Sequence, residues 1–445
     1  MGDATPCRVG YDPSYQGLFA AEPIASAHLQ SHTMKTDLPR LMAERNLDAL
    51  LVLGPDNLGP ANAPFSYFTG DAHVTTGYII VKRDGSQYIV CSPMERDEAA
   101  KTGMTIVNKA VYKLPEVLKT KNGNRTAAEV EVLKRIFHDT GTGGRVGIYG
   151  AEQANLSFNF LNTLIREEVC EVVTEEDNDV ISAARMTKDA REAELTRQTC
   201  LLTEAIIGAT RDFLKSHKVV RETLAKSDGA SLTVADVKRF IRREAAANAL
   251  EMHDCIFSIG RDAGIGHSSG TPTDAIMLGK TIVFDIFPGG PGGYHSDITR
   301  TWCMGHAPDY VLEAHALVSQ AHALAEGMFN TASFTYEYQE AVCDLFEAKG
   351  HSTARKNYEA THGYYHGLGH GFGLQVHEPP SMSVKGWRSD EVFQPGTIVC
   401  LEPGLYYPDD PRGGWGVRIE DDYWFDLNGK LQRLTEFDRG LVVSM

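Results

Sequence analysis

The stretch HGLGHGFGLQVHE at residues 366–378 contains three histidines among four glycines: His366, His370 and His377. Histidines four residues apart share one face of an α-helix, as in helical metal sites. The interleaved glycines oppose a helix, because each costs about 1 kcal/mol relative to alanine in a helix interior. The pattern therefore predicts an extended or sharply turned backbone whose imidazoles need chemical partners from elsewhere in the chain.

Four acidic residues interrupt apolar, β-like segments in the second half of the chain. They are Asp285 in TIVFDIF, Asp297 at the head of SDITRTW, Glu402 at the end of IVCLE, and Glu420 in the middle of a predicted strand over GVRIEDDYWF. A buried carboxylate is costly unless it is paired or bound to a metal ion. An arginine could neutralise one such acid, but four of them together with glycine-flanked histidines indicate a shared cation.

Together with His370, these acids offer four carboxylates and one imidazole as metal ligands. Five side-chain ligands are too many for a single metal ion that keeps one coordination position open for substrate. The set suits two divalent ions about 3.5–4 Å apart. Four carboxylates and one hydroxide nearly balance the charge of two such ions. Oxygen-dominated ligation favours manganese, and the imidazole also admits cobalt, iron or zinc.

The composition of the chain disfavours several classes of binding partner. The 445 residues carry a formal net charge of −16 without a dense run of lysine or arginine, which argues against nucleic acid or an anionic membrane as partner. No segment is long and apolar enough to span a bilayer, and the N-terminus lacks the pattern of a secretory signal. Eight scattered cysteines without a CxxC pair predict reduced thiols in a cytoplasmic protein, and neither disulfides nor a cysteine-ligated metal.

The chain is expected to form two domains, with a boundary near residue 185. Residues 1–185 alternate helix and strand, which predicts a small α/β domain containing, for example, a strand at 48–54 and a helix at 127–141. Residues 186–445 place helices and antiparallel-looking strands in separate blocks, which is typical of an α+β layered domain. Its helices are predicted at 189–216, 233–247, 308–329 and 335–349.

The ligand candidates resemble, in their order along the chain, the metal-ligand series of the pita-bread metallopeptidases (family M24): Asp285, Asp297, His370, Glu402 and Glu420. This family includes methionine aminopeptidases, aminopeptidase P, prolidase and creatinase. The matching text is VFDIFPGGPGGYHSDITRTWCMG, HGLGHGFGLQVHEPP, CLEPGLYY and GVRIEDDYWF. The first two ligands are twelve positions apart where the family usually has eleven, and the PGGPGG turn can absorb the extra residue.

The resemblance implies a creatinase-like N-terminal domain followed by a pita-bread catalytic domain, because the first part, including SYFTG at 66–70, resembles the domain that proline-specific members and creatinase carry. It also implies roles for three histidines. His377 is the catalytic histidine outside the ligand set, and His366 lines the pocket in the proline-specific branch. His267, in GIGHSSGTP, corresponds to the histidine that contacts the scissile amide.

Arg418 lies two residues before Glu420, so on one strand both side chains would face the same way. It would hold the ligands in place or receive a substrate carboxylate. A dipeptidase must clamp that carboxylate and exclude longer peptides. Arg412 and His366 are further candidate cations, and residues 406–416 (YYPDDPRGGWG) are a candidate lid. A dipeptidase is favoured over an aminopeptidase.

The implied reaction is metal-assisted hydrolysis of the Xaa-Pro bond in dipeptides or short peptides. Metal binding lowers the pKa of water towards neutrality, His377 donates a hydrogen bond to the developing oxyanion, and Glu402 carries the proton to the leaving nitrogen. The bond before proline is a tertiary amide without an N–H, so its cleavage needs a pocket for the ring. The resemblance also implies a homodimer.

Other classes remain open. A family member could perform creatinase-like C–N hydrolysis or lyase chemistry, but creatinase-type enzymes have lost metal ligands and this chain retains all five. A non-enzymatic relative could use the same fold to bind protein partners. An iron oxygenase with two histidines and one carboxylate is a further alternative, although four acids overfill such a site.

Overall fold

The computed structural model describes residues 37–55, 62–150, 153–176, 178–387 and 390–445. The predictions made for the N-terminus and for Cys7 lie outside the described residues. The seven cysteines within them are free thiols. No described helix combines the length and the hydropathy that a bilayer crossing requires.

The N-terminal part is built on a mixed six-stranded sheet. Its strands are β1 (Ala49–Leu53), β2 (Tyr78–Lys82), β3 (Gln87–Cys91), β4 (Thr105–Asn108), β5 (Arg145–Tyr149) and β6 (Glu171–Val173). Their order is β4-β3-β2-β1-β5-β6, with β1 antiparallel to β2 and parallel to β5. The helices are α1 (Leu38–Glu44), α2 (Ala63–Thr69), α3 (Arg96–Ala100), α4 (Leu114–Thr120), α5 (Arg125–Thr140), α6 (Ala154–Arg166) and α7 (Val180–Arg185).

Helices cover both faces of this sheet, which explains why β1 is apolar throughout rather than alternating. Leu50 and Val52 pack in a core with α1, α2 and α7, while Leu51 packs on the other face against α4, α5 and α6. The predicted strand at 48–54 and the predicted helix at 127–141 agree with β1 and α5. Helix α5 ends where Gly141 adopts a left-handed backbone conformation.

The C-terminal part contains four long helices and two main sheets. The helices are α8 (Ala190–Lys215), α9 (Val234–Ala247), α10 (Asp309–Met328) and α11 (Thr335–Ala348). The strands are β7 (Lys218–Val220), β8 (Thr223–Ala225), β9 (Ile256–Ile259), β10 (Thr281–Ile286), β11 (Ile298–Met304), β12 (Gly369–Gly371), β13 (Glu378–Met382), β14 (Ile398–Leu401), β15 (Gly404–Tyr407), β16 (Trp415–Arg418), β17 (Asp421–Phe425), β18 (Leu431–Arg433) and β19 (Val442–Val443).

The two main sheets have the strand orders β19-β11-β10-β9 and β13-β12-β14-β17-β18. Helices α8 and α9 share a core with the first sheet, and α10 and α11 share a core with the second. The predicted α+β architecture is therefore confirmed. Helix α8 begins at a capping box in which Asp189 and Glu192 each bond the backbone of the other.

The prediction that Glu420 lies in the middle of one strand is wrong. Strand β16 ends at Arg418 and pairs with β15, whereas β17 begins at Asp421 and pairs with β14. Glu420 lies where the chain passes from one sheet to the other, and its backbone N–H donates to Thr299 O of β11 (3.1 Å). The residue thereby reaches the β10–β11 hairpin.

The candidate lid is the connection between β15 and β16. Its loop packs against the 3₁₀ turn at Asp262–Gly264, since Arg261 forms an ion pair with Asp409 (3.0 Å) and a Cβ on Gly264 would lie 2.7 Å from the backbone of Pro408. Arg412 binds Asp410 (2.7 Å). The segment is a hairpin whose loop contacts this turn.

Candidate metal centre and active site

The five predicted ligands are carried by separate elements whose ends converge. Asp285 lies in β10, Asp297 directly precedes β11, and His370 is the central residue of β12. Glu402 follows the last residue of β14, and Glu420 lies between β16 and β17. The β10–β11 pairing brings Asp285 and Asp297 together, whereas His370, Glu402 and Glu420 come from elements much later in the chain.

Distances between side chains define the cluster. His370 Nε2 is 3.7 Å from Asp297 Oδ2 and 3.7 Å from Glu402 Oε1. Thr299, which lies opposite Asp285 in the β10–β11 register, donates its hydroxyl to Glu420 Oε2 (2.7 Å). The structure thus brings the four carboxylates and the imidazole to one place.

Two of the glycines in the 366–378 stretch allow this convergence. A Cβ on Gly369 would overlap the carbonyl oxygen of Cys400 in β14, and a Cβ on Gly371 would overlap the carbonyl of Pro379 in β13. Strand β12 is consequently extended, as predicted, and it lies between two neighbours that approach closely at both glycines. His370, between them, is held facing the acids.

The hydrogen bonds of His370 fix which nitrogen faces the cluster. Nδ1 lies 3.1 Å from Gly371 O, and since a carbonyl oxygen only accepts, Nδ1 carries the proton. Nε2 is then the lone-pair atom directed at the carboxylates, the arrangement typical of metal-binding histidines. Burial, then the charge of His377, lowers the pKa of His370 to about 3, so the ring is neutral at physiological pH.

The carboxylates repel one another in the absence of a cation. Burial, followed by the charges of neighbouring acids, raises the pKa of Asp297 and Glu402 well above their usual range and that of Glu420 to about 7. Among the described residues, buried Asp285 Oδ1 has no hydrogen-bond partner. An oxygen-rich donor set that includes a carboxylate oxygen without a hydrogen-bond partner fits divalent cations. Their positive charge would remove the repulsion between the buried carboxylates.

Arg418 is buried, and each nitrogen of its guanidinium group contacts another protein group. Its Nη2 forms an ion pair with Asp285, and its Nε donates to Thr299 Oγ1 (3.0 Å). Its Nη1 donates to Gly266 O (3.1 Å) and to the hydroxyl of Tyr406 (3.0 Å). Of the two predicted roles, this geometry favours holding the ligands over receiving a substrate carboxylate.

His366 lies beside the cluster, with Nδ1 4.0 Å from Glu402 Oε2. Nδ1 donates to Gly367 O (2.6 Å), so Nε2 accepts from the hydroxyl of Tyr406 (3.0 Å). Both nitrogens are therefore engaged with protein. His366 supports Tyr406 and, through it, the guanidinium of Arg418.

His377 and His267 both have exposed side chains. The ring centroid of His377 is 4.2 Å from that of His370. His267 follows Gly266, whose carbonyl accepts from Arg418. Burial, and next the charge of His267, lowers the pKa of His377. Their positions suit contact with a substrate that enters from solvent.

Glu378, next to His377, forms a buried ion cluster that sequence analysis missed. Its carboxylate accepts from Lys188 Nζ (2.9 Å) and from Arg185, and it also accepts from the backbone N–H of Gln375 (3.0 Å). Burial alone would raise the pKa of Glu378, but Lys188 and Arg185 lower it to about 2. The cluster ties the loop that carries His377 to the segment joining the two parts of the chain.

Cys400 was also missed, because its thiol belongs to no recognisable metal motif. Its Sγ lies 3.4 Å from His370 Nε2. Within the described residues, one ligand atom each from Asp297, His370, Cys400 and Glu420 lies within 4.8 Å of the others. Cys400 lies two residues before Glu402, and alternate residues of a strand face the same side. This spacing was the sequence signal that could have placed Cys400 near the acids.

Two family models match the chain. Residues 194–426 match "Metallopeptidase family M24", and residues 36–192 match "Creatinase/Prolidase N-terminal domain". The first covers more than half of the chain and includes every predicted site residue.

Individual relatives extend the comparison. The chain is 27% identical to the Xaa-Pro dipeptidase of Pyrococcus furiosus over 91% of its own length and 98% of that protein. It is 31% identical to the uncharacterized peptidase YqhT of Bacillus subtilis, over 50% of this chain and only 57% of that relative. The crystal structure of the prolidase from Pyrococcus horikoshii superposes with a TM-score of 0.68 at 19% identity, covering 91% of this chain and 98% of the other. That likeness shows a shared fold.

Proposed function

This chain belongs to metallopeptidase family M24, and from that premise we propose that it hydrolyses the Xaa-Pro bond of dipeptides or short peptides. The predicted class of enzyme, a metallopeptidase, is confirmed by this membership. The observation that carries the proposal is the convergence of four carboxylates and His370 Nε2 from separate strands.

The metal requirement follows from the donor set. Two divalent ions fit it, and manganese is favoured, with cobalt or zinc also compatible. The residues that would hold them are Asp285, Asp297, His370, Glu402 and Glu420. When bound, such ions supply a Lewis acid for the carbonyl oxygen and lower the pKa of water.

Each of four side chains would have a separate role in the reaction. Glu402 accepts the proton of the attacking water at its carboxylate and delivers it to the leaving nitrogen. His377 donates an N–H to the oxygen of the scissile carbonyl as charge develops there. His267 contacts the amide. Arg418 keeps Asp285 in position through their ion pair.

The choice of a dipeptidase is supported by the dipeptidase name of a relative that matches over nearly its whole length. The fold alone does not select substrate length, and Arg418 is occupied by protein groups. The carboxylate clamp is therefore left to a group other than Arg418. The creatinase-like, lyase and non-enzymatic alternatives are disfavoured because all five predicted donors are in place.

Substrate length separates the two peptidase activities. With Mn²⁺ added, Ala-Pro should be cleaved with a kcat/KM at least about tenfold above that for Ala-Pro-Ala, a difference of about 1.4 kcal/mol in transition-state binding. Liquid chromatography of the products would measure both rates. Comparable rates would favour an aminopeptidase, and cleavage that is independent of metal would contradict the proposed chemistry.

Loss of the His377 imidazole should affect turnover but not metal binding. His377→Ala is expected to lower kcat by about 10²–10³, the usual effect of removing one oxyanion donor. Metal content after dialysis should equal that of the wild type, as it should in His217→Ala, whose ring bonds Phe213 O at the end of α8. A metal-free His377 variant would show that this histidine belongs to the ligand set.

The proposal also covers the compartment, the oligomeric state and the partners of the enzyme. We propose a cytoplasmic homodimer that acts on proline-containing peptides and has no nucleic-acid or membrane partner. The support is the formal net charge of −16, the free thiols of the described cysteines and the family resemblance.

A further inference from the structure

Cys400 occupies a position in the metal centre that the family pattern does not account for. It lies in β14, two residues before Glu402 and fully buried. Across the strand pair it faces Asp422, whose carboxylate accepts from Asp297 N (3.1 Å). A Cβ on Gly369 would overlap the Cys400 carbonyl, so the backbone on either side has little freedom and the sulfur is held beside the acids.

The tautomer of His370 defines its contact with the sulfur of Cys400. Nδ1 donates to Gly371 O, so Nε2 can only accept, and the contact with Cys400 Sγ at 3.4 Å is an S–H···N hydrogen bond. A metal ion bound to Nε2 takes the lone pair that this bond uses. The S–H···N hydrogen bond and a metal ion on Nε2 therefore exclude each other, whereas the thiol can still bond the Glu420 carboxylate.

The spacing suits a pair of ligands on one ion. Metal–sulfur and metal–nitrogen bonds of about 2.3 and 2.0–2.1 Å place the two donor atoms roughly 3.6 Å apart around a tetrahedral centre. The observed separation of 3.4 Å is close to this value. The buried oxygen of Asp285 that has no partner among the described residues independently indicates that a cation belongs in the cluster.

The donors divide into two groups of different character. Asp297, His370, Cys400 and Glu420 offer one nitrogen, one sulfur and two carboxylates, with ligand atoms within 4.8 Å of one another. Mixed nitrogen and sulfur donors favour zinc or cobalt over manganese. Asp285 and Glu402 contribute oxygen alone, the donor that manganese prefers.

We propose that Cys400 is a sulfur ligand of the ion bound by His370 Nε2, and that this position prefers zinc or cobalt over manganese. The inference rests on the proposed metal centre and deepens it, and it revises the expectation that no cysteine takes part in metal binding. On ligation the metal ion replaces the S–H proton, which is released to solvent.

Cobalt is the probe because its spectrum reports both occupancy and sulfur ligation. The full-length protein, stripped of metal by a chelator, is titrated with Co²⁺. Visible d–d bands show that the ion is bound, and a near-ultraviolet sulfur-to-cobalt charge-transfer band shows a thiolate ligand. The band should be present in the wild type and absent in Cys400→Ser and Cys400→Ala.

The matched control is Cys200→Ser. Cys200 is an equally buried thiol that donates to Asp422 (3.3 Å) but lies outside the group of ligand atoms, so this variant should keep the charge-transfer band. By equilibrium dialysis, Cys400→Ser should weaken Zn²⁺ binding at least about tenfold and change Mn²⁺ affinity much less.

The outcomes separate this inference from the proposed function. Bound cobalt without the charge-transfer band in the wild type, or a band that persists in Cys400→Ser, overturns the sulfur ligand and leaves the metallopeptidase intact. A wild type that binds no cobalt at all contradicts the metal centre itself. Circular dichroism of each variant shows that a lost band does not reflect a failure to fold.

Discussion

Replacing Glu402 by alanine is expected to lower kcat by at least about 10³-fold, because general acid–base catalysis alone contributes about 10²–10⁴ and a metal ligand is lost as well. Its Oε1 lies 3.7 Å from His370 Nε2, so the same carboxylate would hold the metal and carry the proton. Metal analysis after dialysis against Mn²⁺ should show a reduced content, measured beside steady-state hydrolysis of Ala-Pro.

The control for this variant is Glu347→Ala. Glu347 is also largely buried and pairs with Arg355 (2.6 Å), but it lies outside the cluster, so metal content and kcat should stay near wild type. The contrast with His377→Ala is informative, since that variant should keep its metal. A Glu402→Ala protein with full metal content and normal turnover would remove Glu402 from both assigned roles.

Replacing Glu378 by alanine is expected to destabilise the protein by about 3–5 kcal/mol, the usual effect of removing one member of a buried ion cluster. Arg185 and Lys188 would each lose the buried carboxylate that they contact. Urea unfolding followed by circular dichroism would measure the loss. Since the pKa of Glu378 is lowered to about 2, this contribution is complete above its unfolded value of about 4.3 and is lost as the pH falls towards 2.

An exposed ion pair provides the control. Glu44 pairs with Arg40 four residues earlier on α1 (2.6 Å), and both side chains are more than half exposed, so Glu44→Ala should cost less than about 0.5 kcal/mol. Replacing Glu378, Arg185 and Lys188 together by methionine should recover much of the stability lost in Glu378→Ala. Equal unfolding midpoints for Glu378→Ala and Glu44→Ala would contradict the burial argument.

Local pattern predicted most of the scaffold and the acids that it carries. Asp285 was predicted within a strand because it interrupts an apolar run, and that run is β10. The four long helices were predicted within about two residues because amphipathic spacing is a property of neighbouring residues. Glu420 was placed wrongly because β16 and β17 follow each other without a glycine or proline between them. The sequence pattern therefore predicts one continuous strand where the chain passes from one sheet to another.

The features that were missed depend on contacts between distant residues. Arg185 and Lys188 lie about 190 positions before Glu378, and nothing local connects the polar stretch between the two parts of the chain with the residue after His377. Thr299 and Cys400 look like ordinary strand residues until the sheets are assembled. Only the pairing of β10 with β11, and of β14 with β12, brings their side chains to the acids.

The central claim is that acids from distant β-segments are tolerated in the interior because they enclose divalent cations. Crystals of the full-length protein grown with Mn²⁺ test it directly, through an anomalous difference map recorded at the manganese absorption edge. The account predicts two peaks about 3.5–4 Å apart among the carboxylates of Asp285, Asp297, Glu402 and Glu420. A map without a peak in this cluster, at a Mn²⁺ concentration that supports hydrolysis, would contradict it.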